Sequence, residues 1–359
     1  MPRWAMKIFS NPYYNFIKYL NDNKMNNNLF TPSKKGRIEY IDALKGFAII
    51  LVVVGHVVQT WLAPDGYLCN PIFKYIYAFH MQFFVLLSGL TMKTAVNNTS
   101  ELKSIAKKRA SQLLIPYTIW GLGGVLWGTE KQTLASLILN PGANLWFLWD
   151  LFFIYIAFAS AIYLSTKLRK NLIYGIVAVF AVLVIISLLL PGIADTFRIY
   201  RLYIFFTIGF YCKRVDLSSS KWRWYYVTVL FAAYFLSTYF WVLNPNANVL
   251  SNQMINSLLS SNPYRMFVSL TGCFTFLFIG QLLSGYFNSS ILSKLGRITL
   301  GIYAIHLFII NTGINLPLNM NYYMALIVLS ITLLLASCVI YFVMSKFKIT
   351  RLLFLGMCG

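Results

Sequence analysis

The stretch IDALKGFAIILVVVGHVVQTW, residues 41–61, is long and apolar enough to cross a bilayer as one helix, because about 20 such residues span the hydrocarbon core. The spanning segment must be helical, since a lone strand in lipid would leave its backbone groups unpaired. Further apolar runs follow at 71–92, 113–128, 145–166, 172–191, 197–212, 224–243, 266–287, 298–314 and 322–344. The sequence therefore predicts an all-α, polytopic membrane protein with about ten transmembrane helices.

The composition agrees with a membrane protein and excludes an ordinary soluble domain. Of the 359 residues, 58% are hydrophobic and only 11% are charged, and the mean hydropathy is +0.66. A soluble domain of this size needs a far more charged surface. The five cysteines form no CxxC pair, so we expect neither a structural disulfide nor a metal site.

Lys and Arg alternate between the segments that separate the apolar runs. Of the 30 such residues, 24 lie in 1–40, 93–112, 165–171, 213–223, 288–297 and 345–359, whereas the intervening loops hold only Lys131 and Arg265. Positive residues accumulate in cytoplasmic loops, so the pattern predicts ten spans with both termini in the cytoplasm. It also accounts for the net charge of +21 without a nucleic-acid partner. We expect a cytoplasmic N-terminal segment at 1–40, a transmembrane domain at 41–344 and a cytoplasmic tail at 345–359, in the inner membrane.

All three histidines of the chain, His56, His80 and His306, lie inside predicted spans. An ionisable residue near the bilayer centre costs roughly 2.5–3.5 kcal/mol on insertion scales, so we expect at least one of them to be catalytic. Lys45 and His56 are eleven residues apart, about three helical turns, and share a helix face. Asp42 is close enough to pair with Lys45. The alternatives are a buried histidine satisfied by the core and a lysine that snorkels to the interface.

Four further charged residues are candidates for substrate binding. Arg198 and Arg201 share a helix face at i, i+3 spacing and would suit a sugar, carboxylate or phosphate ligand, or would anchor the helix at the interface. Asp150 would orient a histidine or bind a hydroxyl. Arg109 ends a basic cluster that suits the phosphates of an acyl-CoA, although the positive-inside rule also explains such a cluster.

Five strings of this sequence, in this order, resemble elements of acyltransferase family 3, in its branch of integral-membrane sugar and exopolysaccharide O-acetyltransferases. They are IDALKGFAIILVVVGH at 41–56, FHMQFFVLLSG at 79–89, RASQLLIPY at 109–117, LWFL at 145–148 and GRITLGIYAIH at 296–306. Two departures are Gln82, where the family often has Pro, and Lys45, where Arg is commoner. No additional soluble domain is recognised, so we expect the membrane core, alone or with a partner, to handle the acceptor.

The resemblance implies transfer of an acetyl or other short acyl group from an acyl-CoA co-substrate to a hydroxyl of a cell-surface or lipid-linked sugar, with no bound cofactor or metal. His56 would be the base or acyl carrier, since imidazole titrates near neutral pH. His80 and Lys45 would assist it. The expected substrate-binding residues are Asp42, Arg109, Asp150, Arg198, Arg201, Tyr303 and His306. Membrane lipids and polysaccharide-synthesis proteins are expected partners. A polysaccharide or lipid-linked sugar transporter or flippase is the alternative, although the sequence shows no paired half-repeats with broken helices.

Overall fold

The described part of the chain is all-helical and contains no strand. The computed structural model describes residues 39–126, 133–141, 145–213, 215, 220–241, 253–287, 290–312 and 320–357. Residues 1–38 of the predicted N-terminal cytoplasmic segment lie outside the described residues. In the first half the helices are α1 (Glu39–Val57, extended by a π-helical turn at Val58–Leu62), α2 (Pro71–Tyr77), α3 (His80–Leu90), α4 (Thr99–Arg109, followed by a π-helical turn at Ala110–Leu114), α5 (Ile115–Leu126), α6 (Ser136–Leu139) and α7 (Trp146–Lys167).

The second half continues with α8 (Leu172–Leu189), α9 (Thr196–Cys212), α10 (Arg223–Phe240), α11 (Gln253–Ser260), α12 (Asn262–Leu282), α13 (Ile291–Arg297), α14 (Thr299–Asn311), α15 (Tyr322–Lys346) and α16 (Lys348–Leu353). Short 3-10 turns occur at Tyr67–Cys69 and Ser284–Phe287. Several helices start where the sequence places an N-cap residue. The side chains of Asn70, Asn98, Asn171, Ser261, Ser290 and Asn321 each accept a backbone hydrogen bond in the first turn, as short polar side chains do at this position.

Fewer helices than the predicted ten are long and apolar enough to span a membrane. Five of them qualify among the described residues: Glu39–Leu62, Trp146–Lys167, Leu172–Leu189, Asn262–Leu282 and Tyr322–Lys346. A sixth is counted if α13 and α14, which meet at a bend of 78°, form one broken span. The helices of the other predicted runs are shorter or less apolar: α3 and α5 have only 11 and 12 residues, and α10 has 18 residues but is not among the candidate spans. The structure thus supports a membrane protein with five or six candidate spans.

The predicted second span, 71–92, is divided in two, and the division lies beside a histidine. The backbone leaves helical geometry at Phe79, which has φ −145°. On the neighbouring α12, the Ser269 hydroxyl donates to the Ala78 carbonyl over 2.6 Å, and the Cys273 thiol donates to the Phe79 carbonyl over 3.9 Å. Carbonyls released at a helix break within lipid need such partners. The break therefore depends on α12, which is distant in sequence, and it places His80 at the first turn of α3.

The helices differ in how much of their surface is buried by neighbouring helices. In α1, 67% of the spanning residues are buried, against 17% in α8 and 28% in α15. The central α1 packs backbone to backbone on α13, because an added Cβ at Gly46 would collide with the Leu292 carbonyl. Likewise, Gly89 of α3 lies against the Phe206 backbone of α9, as expected for a small residue at a helix interface. The charged and polar groups described below lie in this central layer.

The segment 345–359, which we expected to be a cytoplasmic tail, packs onto the helical body as far as it is described. Leu355 is buried, and the Phe354 carbonyl accepts a hydrogen bond from the Trp120 indole over 3.1 Å. Gly356 has φ +62°, and a Cβ there would also meet the Gln112 backbone. Only glycine adopts that conformation without strain, so this position fixes the end of the segment against the turn that follows α4.

Candidate active site

The ten candidate residues from the sequence fall into three groups in the structure. Asp42, Lys45 and Arg109 lie together in a large cavity; His56, His80, His306 and Tyr303 form a buried cluster; and Asp150, Arg198 and Arg201 lie at or beside a small cavity. Lys45 and His56, although they are on the same helix, thus belong to different groups.

The large cavity has a volume of about 440 Å³ and lies where α1, α3, α7, α13 and the C-terminal segment meet. Three cationic side chains line it: Lys45, Arg109 and Arg297. Its apolar wall includes Phe84 and Phe147. A cavity of this size lies within the usual range for small-molecule sites, and its cations would attract an anionic ligand.

The arginines of the large cavity are held by neighbours. The Arg109 guanidinium lies 3.8 Å from the centre of the Tyr155 ring and donates to Gln112 Oε1 over 3.0 Å. A guanidinium over an aromatic face retains free N–H groups at its edge. Arg297 is 3.4 Å from the Glu39 carboxylate and 3.8 Å from that of Asp42. The structure therefore pairs Asp42 with Arg297, a contact that the spacing of Asp42 and Lys45 did not indicate.

Ring contacts connect the three histidines. The ring centres of His56 and His306 are 5.3 Å apart. Tyr77 contacts His56 and His80, with its ring centre 6.3 Å from that of His56 and 4.6 Å from that of His80. Its hydroxyl donates to Gln59 Oε1 over 3.1 Å, and the Gln59 side chain is close enough to interact with His56. Residues from α1, α2, α3 and α14 thus meet at one point.

Two of these rings have a fixed orientation. His80 Nδ1 is 2.9 Å from the Ile76 carbonyl, and His306 Nδ1 is 2.9 Å from the Ile302 carbonyl. A carbonyl only accepts, so each Nδ1 must carry the proton, and in a neutral ring Nε2 is then an acceptor. His306 Nε2 is buried and has no hydrogen-bond partner among the described residues. His80 and His306 are 3% and 0% exposed, whereas His56 is partly accessible. His56 is therefore the histidine that a substrate reaches most readily.

Two aromatic rings, Phe147 and Tyr303, connect the histidine cluster to the large cavity. Phe147 lines the cavity, and its ring centre is 5.7 Å from that of Tyr303. Tyr303 in turn is 5.9 Å from His306 by the same measure. None of the three histidines is itself among the residues that line the two cavities in the described part of the chain. The ring contacts from the large cavity to His56 thus run through Phe147, Tyr303 and His306.

The small cavity has a volume of about 80 Å³. Met81 and Gln82, which follow His80 directly, and Trp146, which precedes Phe147, contribute to its wall. Arg198 lies in it and is bound to the fully buried Asp150, with Nε and Oδ2 2.7 Å apart, and to Asp195. Its guanidinium also lies 4.0 Å from the Trp146 ring centre. Asp150 thus holds an arginine and does not touch a histidine.

Several site residues were missed by the sequence analysis. Tyr77, Gln59 and Tyr155 stand in apolar runs like many other polar or aromatic residues, and Arg297 was counted among the cytoplasmic loop charges. Gln59 carried a signal, because it is the one amide in the run 41–61 and lies three residues after His56, on the same face. Among the described residues no set of three His, Cys, Asp or Glu side chains is grouped as metal ligands would be.

These features define a class: an all-helical membrane protein with a cationic cavity and a buried histidine cluster. Residues 38–344 match the family model Acyl_transf_3, described as an acyltransferase domain. The match extends over most of the chain, and the chain belongs to this acyltransferase family. The resemblance drawn from the five sequence strings is thereby confirmed.

Two curated relatives resemble parts of the chain. Nodulation protein NolL of Mesorhizobium japonicum is 26% identical over 216 residues, which cover 56% of this chain and 55% of the relative. Nodulation protein NolL of Sinorhizobium fredii is 41% identical over 81 residues, 22% of each chain. The chain thus spans about half the length of the first relative and less of the second. No solved structure matches the chain.

Proposed function

We propose that this protein is a multi-pass inner-membrane O-acyltransferase. It moves an acetyl or other short acyl group from acyl-CoA in the large cavity to a hydroxyl of a cell-surface or lipid-linked sugar. The observation that carries the proposal is the short aromatic connection between a cationic cavity and a cluster of three histidines, in a chain of an acyltransferase family.

The large cavity suits the donor because its charges complement those of coenzyme A. Lys45, Arg109 and Arg297 face a common space, and coenzyme A carries several phosphate charges. Arg109 is the best candidate for a phosphate ligand, since the Tyr155 ring holds its guanidinium and arginine binds phosphate with two parallel N–H groups. Lys45 would lie nearer the thioester, where it stabilises charge that develops on the carbonyl oxygen. Phe84 and Phe147 would cover the apolar part of the pantetheine arm.

His56 is assigned as the general base. Its imidazole takes the proton of the acceptor hydroxyl as that oxygen attacks the thioester carbonyl. The C–S bond then breaks, and the departing CoA thiolate receives the proton back from the imidazolium, which gives free CoA and the sugar ester. His56 suits this role because it is the accessible ring of the three, and because Gln59, itself held by Tyr77, orients it.

His306 is assigned as a positioning residue for His56. Its Nδ1–H is directed to the Ile302 carbonyl, so its unpartnered Nε2 presents a lone pair beside the His56 ring. That lone pair stabilises the His56 imidazolium by a charge-assisted hydrogen bond when the proton is held there. His80 has the same backbone bond and contacts the cluster through Tyr77. Tyr303, which lies between Phe147 and His306, forms the passage from the donor cavity.

Mass spectrometry of surface glycans from cells with and without the protein tests the proposal. We expect glycans of the deletion strain to lack one acyl group per repeat, with the mass difference naming that group. A plasmid that expresses the protein should restore it, and a His56→Gln variant, inserted at equal level, should not. Unchanged glycan masses together with glycan retained inside the cell would instead favour a transporter.

A further inference from the structure

Three arginine side chains line the small cavity. Among the described residues that line it, Arg198, Arg201 and Arg265 are cationic and none is acidic. All three side chains are partly accessible, and Arg201 is close enough to the other two for mutual repulsion. Like charges held together at a membrane-embedded surface are costly, and an anionic ligand relieves that repulsion.

The three arginines are not equally available to a ligand. Arg198 is fixed by the carboxylates of Asp150 and Asp195, so its charge is compensated. Arg201 donates from Nη1 to Asn262 Oδ1 over 3.0 Å and lies 4.8 Å from the Phe197 ring centre. Both of these partners are uncharged. The guanidinium of Arg201 therefore keeps a full positive charge beside the cavity, with N–H groups left to donate.

The position of the small cavity connects this charge to the proposed reaction. Met81 and Gln82 follow His80 in the chain, and Trp146 precedes the Phe147 that contacts Tyr303. The small cavity is thus lined by residues next in sequence to His80 and Phe147, and on α3 and α7 these precede the residues that line the donor cavity. Its 80 Å³ would hold several water molecules and so admits a carboxylate or phosphate group attached to a larger molecule outside.

We propose that the acceptor sugar carries an anionic group, a carboxylate or a phosphate, which Arg201 binds in the small cavity with Arg198 and Arg265 beside it. This inference rests on the proposed acyltransferase function and specifies the class of its acceptor. The anion anchors the acceptor while the ring stacks near Trp146 and a neighbouring hydroxyl reaches the histidines. A neutral sugar would lack this anchor.

Direct binding tests this proposal independently of catalysis. The full-length protein in nanodiscs of uncharged phosphatidylcholine is equilibrated with three radiolabelled probes: phenyl β-glucoside, phenyl β-glucuronide and phenyl β-glucoside 6-phosphate. We expect at least one anionic probe to bind about tenfold more tightly than the neutral one, and the stronger of the two distinguishes a carboxylate-bearing from a phosphate-bearing acceptor. Equal binding of all three probes would overturn the proposal.

Matched variants show whether Arg201 causes the preference for the anionic probe. Arg201→Gln should abolish the preference for the anionic probe, and Arg201→Lys should retain most of it. Arg169→Gln removes the same charge from an exposed position between α7 and α8 and should change nothing. A preference that survives in Arg201→Gln, or that is lost equally in Arg169→Gln, would refute the site. Acetyl-CoA consumption in the same nanodiscs is measured separately, so a failed transfer reaction is distinguishable from a failed anion site.

Discussion

Arginines line both the large and the small cavity, yet the two cavities hold them differently. In the large cavity, Arg109 is supported by an aromatic face and an amide, within about 440 Å³ of space. In the small cavity, Arg198 is bound by two carboxylates, and the space is about 80 Å³. The large cavity can admit a whole flexible molecule with several charges, whereas the small one can select a single group. This difference is why we assign the donor to the first and the acceptor to the second.

Replacing His56 should have the largest effect on transfer and no effect on either cavity. We expect His56→Gln to lower the rate by at least about 100-fold, the usual contribution of a general base. Acetyl-CoA should still bind normally, because His56 does not line the donor cavity. Single-turnover transfer and equilibrium binding in nanodiscs measure the two quantities. A variant that transfers at the normal rate would remove the central assignment.

Replacing His306 should have a smaller effect of the same kind. His306→Gln deletes the lone pair beside His56, and the loss of a hydrogen bond to a charged group lowers the rate by roughly 10- to 100-fold. If the lone pair stabilises the His56 imidazolium, its loss favours the neutral ring, so the fall in the transfer rate should be largest near and above neutral pH and smaller at low pH. A pH profile of the transfer rate checks this. An unchanged profile with a lower protein yield would indicate a structural role only.

Replacing Arg109 should affect donor binding without affecting the chemical step. We expect Arg109→Gln to weaken acetyl-CoA binding about tenfold, as one charge-assisted contact is lost, and the loss should shrink as salt is raised. Lys107→Gln is the matched control, since Lys107 lies on the same helix and is exposed. Equal weakening by both variants would point to a general surface potential and contradict a specific phosphate contact.

Substitutions at two glycines should have the smallest effects. Gly356 and Gly192 both have positive φ, but only Gly356 has backbone within reach of an added Cβ, that of Gln112. Gly192→Ala should therefore cost only the strain of its conformation, about 1 kcal/mol. Gly356→Ala should cost more and should also weaken acetyl-CoA binding a few fold, because Gln112 and Gly356 line the donor cavity. Thermal unfolding in detergent and donor binding measure the two effects; identical behaviour of both variants would contradict a role for the C-terminal segment in the cavity.

The sequence predicts the helical membrane class, but it does not predict how the candidate residues are grouped. Apolar runs indicate helices. The break before His80 could not be predicted, because it depends on hydroxyl and thiol donors of α12, nearly 200 residues away. The same holds for the pairing of Asp42 with Arg297 and for the packing of the segment 345–359, both of which join distant parts of the chain. Ten spans were predicted where five or six are supported, since an apolar run gives no sign of a tertiary interruption.

The central claim is that His56 is the base for transfer of the acyl group from the donor cavity to an acceptor hydroxyl, and we propose that the donor enters from the cytoplasm and the ester appears on the outer face. Right-side-out membrane vesicles loaded with radiolabelled acetyl-CoA test it most directly, with label counted in glycans of the outer face. We predict that label appears there with the wild-type protein and not with His56→Gln. Labelled glycan formed only when acetyl-CoA is supplied outside, or none formed from the loaded vesicles, would contradict the account.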